Sequence, residues 1–206
     1  MEIVGDLTLD VPRGKGRSQP YNVFPMPSEG GPPGAILHVR KDVADKVHIS
    51  TRLYLRQNSV VFQDSAVLPV VSEREFVDHT LYFLRVVNDE DERVHLRVYS
   101  LDLNHRNPVV RVRVQASWLA TAWHLIYDQV YFLEVRQGER IPGDGGPPFP
   151  LRPLAIELSL DSIFDTVPAG ADIAVSVLPA APDLRIWAML SETNNATQRV
   201  RIALPD

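Results

Sequence analysis

The stretch LYFLRVVNDEDERVHLRVYS, residues 81–100, decides the fold class of this chain. Two alternating runs rich in Val, Leu and aromatic residues flank a polar run from Asn88 to Arg93, the pattern of two strands joined by a turn. With Asn88 placed opposite Arg93, the two runs read as an antiparallel hairpin. One face then carries Leu81, Phe83, Arg85, Val87, Val94, Leu96 and Val98. The other carries Tyr82, Leu84, Val86, Arg93, His95, Arg97 and Tyr99. Successive strand residues point to opposite sides, so the first set is the expected core face. On that face Arg85 would have to pair with a buried carboxylate or reach out to water along its own stem. The outer set is too aromatic for an ordinary solvated surface. Tyr82, His95, Arg97 and Tyr99 are therefore a candidate interface, to be covered by an N-terminal arm, another sheet or a neighbouring subunit.

Outward from this segment the β pattern continues in both directions. AILHVR (35–40), VHISTRLYLR (47–56) and VVFQDSAVLPVV (60–71) read as strands, and Ser72-Glu73-Arg74-Glu75 has the spacing of one capped helical turn. PVVRVRVQ (108–115) alternates valine with arginine, and QVYFLEVR (129–136) is again a strand. Between them ASWLATAWHLIY (116–127) is ambiguous: Trp118, Ala122 and Ile126 fall on one helical stripe, which favours a short helix or a bent crossover, while strand alternation also fits. LAIELSLDSI, ADIAVSVLP and LRIWAMLSE follow as strands, and the last returns through Asn194-Asn195-Ala196-Thr197 into QRVRIAL. This closing hairpin echoes residues 87–98 at an offset of 106, with Trp187, Met189, Val200, Ile202 and Leu204 expected on its core side and Glu192 opposite Arg201 on its solvent side. A duplicated unit and a shared strand vocabulary both account for the echo.

The domain reading follows from punctuation. Residues 1–34 form an extended Gly/Pro-rich arm whose first residues alternate (Ile3, Leu7, Leu9), residues 35–137 a sandwich unit, and 138–153 a Gly/Pro-rich loop or linker. Residues 154–206 complete the same sandwich or make a second small unit. The whole is an all-β, antiparallel sandwich, as one body or two packed units. In strand number and turn spacing it resembles immunoglobulin-like and fibronectin-like sandwiches, folds that have no single function to carry over.

Composition excludes several classes of function. At 206 residues the chain can bury about 70% of its unfolded surface and needs no staples. It has no cysteine, hence no disulfide, thiolate metal site or cysteine nucleophile. Net charge is −5, split into +2 over residues 1–60 and −7 over 61–206, which argues against a nucleic-acid partner. The N-terminus lacks the basic and apolar regions of a signal peptide, and no apolar run approaches the ~20 residues a membrane span needs. Compartment is left open.

Arg13-Gly14-Lys15-Gly16-Arg17-Ser18 lacks the spacing and following helix of a phosphate loop. The six histidines (His38, His48, His79, His95, His105, His124) are scattered, and neither Asp102-Leu103-Asn104-His105 nor the acidic tip 89–92 has a metal-ligand pattern, so no metal or cofactor is expected. There is no GxSxG elbow. Trp118 and Trp123 are candidate sugar-stacking residues, with core packing as the competing reading. PLRP (150–153) has PxxP spacing, and Asn195-Ala196-Thr197 is a glycosylation sequon. The expectation is a non-enzymatic structural or protein-interaction module, a subunit of a larger assembly with protein partners or self-association. The alternatives are a carbohydrate-binding sandwich and a hydrolase on a β scaffold.

Overall fold

The computed structural model describes residues 2–10, 48–57, 60–100, 108–119, 123–134, 154–167, 170–197 and 199–206. The expected strand 35–40, the basic loop at 13–18, Asp102 to His105 and the PLRP segment lie outside the described residues. The chain divides into two compact units, Met1–Ser72 with Glu139–Arg152, and Glu73–Gly138 with Pro153–Asp206.

In the first unit, β1 (Glu2–Asp10), β2 (His48–Gln57) and β3 (Val60–Leu68) make an antiparallel sheet with β2 in the middle. Glu2 lies opposite Arg56 and Asp10 opposite His48. Residues 2–10 of the expected arm are thus a paired strand, while 11–47 lie outside the described residues.

The second unit opens with a 3-10 turn at Glu73–Glu75, at the place where one helical turn is expected. Its strands are β4 (Leu81–Val86), β5 (Glu92–Ser100), β6 (Val109–Leu119), β7 (Trp123–Glu134), β8 (Leu154–Ser159), β9 (Asp172–Pro179), β10 (Ile186–Asn194) and β11 (Val200–Ala203), with a single helical turn, α1 (Asp161–Phe164), after β8. They form two antiparallel four-stranded sheets, ordered β11-β10-β5-β8 and β4-β9-β6-β7. Val94, Leu96, Val98, Ile186, Ala188 and Leu190 from the first sheet and Phe83, Val110, Val112, Val114, Val175 and Val177 from the second belong to one buried cluster. The sheets therefore face each other across a shared core, which Leu160, Ile163 and Phe164 around α1 extend. Strands β8 to β11 lie in the same two sheets as β4 to β7.

The expected hairpin is absent. β4 pairs with β9 in the second sheet, whereas β5 lies between β10 and β8 in the first. Residues 87–91 carry the chain from one sheet to the other. Facing sheets stand about 10 Å apart, and this segment spans that gap instead of turning back beside β4. The tip is tied down from a distance: Asn195 donates its backbone N–H to the Asp91 carbonyl at 2.7 Å and its side-chain amide to the Glu90 carbonyl at 3.2 Å. Arg85 is not on the core side. It has φ 55° at a register shift between Leu84 and Val86, so the bulge turns Arg85 outward and Val86 into the core.

Residues 116–119 and 123–127 are strand rather than helix, and 120–122 lie outside the described residues. The strand residues belong to the antiparallel pair β6–β7, with Trp118 opposite His124 and Leu119 opposite Trp123. The closing hairpin β10–β11 is real, with Glu192 opposite Arg201, but its phase differs by one residue from expectation. Ile186, Ala188 and Leu190 fill the core, while Val200 and Leu204 are exposed and Trp187 is half-buried. Because LRIWAML is apolar at nearly every position, alternation sets no phase there, and a slip of one flips the face. Glu192, expected in solvent, is 4% exposed and held by the guanidinium of Arg201. β10–β11 is a hairpin and β4–β5 is not, so the two segments differ in their pairing.

Candidate functional site

The residues singled out on the 81–100 segment separate onto two surfaces. His95, Arg97 and Tyr99 point outward from β5, opposite the core-facing Val94, Leu96 and Val98. β5 is the interior strand between β8 and β10, so its outward side chains acquire neighbours on both sides. Register places Arg97 between Glu157 and Met189, Tyr99 between Ala155 and Trp187, and His95 between Ser159 and Ser191.

Glu157 ties this face together. Its Oε2 accepts a hydrogen bond from Arg97 Nε at 3.0 Å, and its Oε1 lies 2.8 Å from His95 Nδ1. That nitrogen is shut off from solvent and lies beside Glu157 without a hydrogen bond of proper geometry. Burial raises the Glu157 carboxyl, but contacts with His95 and Arg97 together outweigh it and hold the group below its ordinary value. Tyr99 packs on Trp187 with ring centroids 5.7 Å apart and planes tilted by 42°. Burial pushes the Tyr99 phenol up to about 12, with Arg97 lowering and Glu157 raising it by smaller amounts. Met189 and Ser191, though outward by register, are 2% exposed. This face is an interlocked polar and aromatic layer rather than an open platform.

Its chemistry is correspondingly limited. A histidine beside a carboxylate suggests a general base, yet base catalysis of acyl transfer needs a hydroxyl hydrogen-bonded to the imidazole. Ser159 donates to Asp161 Oδ2 at 3.2 Å instead, and among the described residues no hydrogen bond joins Ser191 to His95. Among the described residues no three His, Asp or Glu side chains gather to hold a metal ion.

Tyr82 lies on the outward face of the second sheet and is exposed. Across that face, register sets Tyr82, Ser176, Arg113 and Val130 in one row and Leu84, Ala174, Gln115 and Asp128 in the next, with Phe132 opposite Arg111 beside them. The centre is polar and the flanks are apolar. Arg113 is fixed to Asp128 through a two-pronged contact, Nε to Oδ1 at 2.7 Å, which holds that carboxyl below its usual range. At one flank Tyr82 and Leu84 are exposed. At the other Val130 is 47% and Phe132 68% exposed, with Leu125 exposed further along. The inner side of β7 carries Tyr127, Tyr131 and Leu133, only partly buried at the rim of the core, with the two phenols 2.9 Å apart.

The candidate interface is thus divided: His95, Arg97 and Tyr99 share one surface, and Tyr82 belongs to another. A stacking platform containing both Tyr82 and Tyr99 does not form. Trp118 and Trp123 lie on β6 and β7 near the end of their ladder, and their side chains are outside the described residues. Sequence reasoning missed Val130 and Phe132. The signal was present, since strand alternation puts both in phase with Asp128 and Glu134, and two carboxylates mark a solvent-facing side. Comparison of the chain with protein-family models, with curated proteins and with solved structures yields no match.

Proposed function

We propose that this chain is a non-enzymatic protein-interaction module, a subunit of a larger assembly built through its second unit. The observation that carries the reading is the exposed apolar pair of flanks on the second sheet, Tyr82 with Leu84 and Val130 with Phe132. Isolated exposed apolar residues are common on any surface, but clusters at the margins of an otherwise polar sheet mark contact sites. The interlocked first-sheet face, without an activated hydroxyl among the described residues, supports a binding role over a hydrolytic one. The architecture is a sandwich of the immunoglobulin- and fibronectin-like kind in its layering. Its first two strands, β4 and β5, occupy different sheets, whereas the first two of an immunoglobulin constant domain share one.

Sedimentation of the full chain across a concentration series tests the reading. The expected result is a mass that rises with concentration above the 23.1 kDa of one chain. A single 23.1 kDa species at every concentration would overturn it.

A further inference from the structure

The second unit has four sheet edges, and they are not alike. β11 is 4 residues long and β8 is 6. β4 is interrupted by the bulge at Arg85 and covered by the end of the chain: Asp206 donates its N–H to the Tyr82 carbonyl at 2.9 Å and accepts from Leu84 N–H at 3.2 Å. Shortness, a bulge and a covering segment are the usual devices that keep an edge from pairing with another chain. Among the described residues, β7 has none of these over most of its length. It runs for 12 residues, the longest described strand, and only its far edge lacks a described partner. Its one irregularity is the extra residue Ile126 near the start, and from Tyr127 to Glu134 it pairs with β6 in unbroken register. Its only charges along that run are Asp128, already neutralised by Arg113, and Glu134.

We infer that the edge of β7 left unpaired among the described residues is the pairing surface for β7 of a second copy of this chain, joined antiparallel about a two-fold axis at Val130. The inference rests on the assembly reading and names its contact. β7 is apolar on both sides, with Val130 and Phe132 outward and Tyr127, Tyr131 and Leu133 at the rim of the core. The occupant must therefore be apolar on both sides and nearly uncharged, and β7 itself is such a strand. Charge narrows the register. Centring the axis on Tyr131 would set Asp128 against Glu134 of the second copy, a like-charge pair that antiparallel neighbours avoid. Centring it on Val130 sets Val130 against its own counterpart, Asp128 against Phe132, and Tyr127 against Leu133, so that no like charges meet. The antiparallel order of the sheet then continues across the axis, and closed two-fold symmetry limits the assembly at this edge to two copies.

The test uses the full chain. Val130 is about half exposed, so Val130→Lys and Val130→Glu are each expected to leave the monomer folded, verified by circular dichroism and melting temperature. Wild type should approach twice the 23.1 kDa chain mass at high concentration. Each variant alone should weaken self-association at least tenfold, because identical charges meet on the axis, and an equimolar mixture of the two should recover it. Variants that assemble like wild type would overturn this inference and leave the assembly reading standing. A wild-type chain monomeric throughout would overturn both.

Discussion

Arg85 occupies a backbone conformation that side chains with a Cβ avoid. Glycine enters that region without a steric penalty, though it has more freedom to lose on folding. Arg85→Gly is expected to raise stability by up to about 1 kcal/mol, and Arg85→Val to lower it, read by urea denaturation. Asp161 is the second informative residue. Beyond the last β5–β8 pair its Oδ1 accepts the N–H of Val94 at 2.8 Å, while Leu160 N–H donates to the Val94 carbonyl at 2.9 Å. The aspartate thus substitutes for a further rung of the ladder beside the buried Val94. Asp161→Ala strands that N–H and should cost about 1–3 kcal/mol, whereas Asp161→Asn keeps an acceptor and should cost less.

The strands show how far alternation carries. In β6 the valines at 110, 112 and 114 are fully buried and Arg111 and Arg113 exposed, as VVRVRV implies, because a run with one polar phase has one possible face. In β10 both phases are apolar, so the face was not legible. The β4–β5 connection failed for a different reason: alternation states which side of a strand is inward and not which strand lies beside it. β5 is inward at Val94, Leu96 and Val98 as expected, but the partners that sandwich it begin at Leu154 and Ile186. The site suffered from the same gap, since outward His95 and Arg97 were legible and the glutamate that holds them, Glu157 on β8, was not. Leu96 faces the core from this interior strand, and Leu96→Ala should cost roughly 2–5 kcal/mol in denaturant titrations.

For the molecule as a whole, two groups on the outward layer of the first sheet contribute to opposite ends of a stability window, beside Asp128 at the acid end and Tyr131, pushed up to about 12 by burial, at the alkaline end. Glu157 has a folded value below its unfolded one. Its contribution is complete above the unfolded carboxylate range and is lost as pH falls through the depressed value. Tyr99 behaves oppositely, being raised from 10.0 to about 12. Its contribution is complete below pH 10 and is lost as pH rises toward 12. Denaturation midpoints measured against pH should therefore fall at both extremes. Tyr99→Phe should flatten the alkaline limb and Glu157→Gln the acid limb. An alkaline limb unchanged by Tyr99→Phe would show that another group sets it.

The strand order also determines when, during synthesis, this body can exist. β5 is complete at Ser100, but its first neighbour begins at Leu154 and its second at Ile186. At about 5–20 residues per second, the central strand of the first sheet emerges seconds before anything can lie beside it. Such non-local pairing also places folding in the millisecond-to-second range. Ribosome-arrested chains ending before residue 154 should be protease-sensitive throughout the second unit, and protection should appear only once β10 has cleared the exit tunnel. Until then, safeguarding this strand from aggregation falls to chaperones and not to the fold.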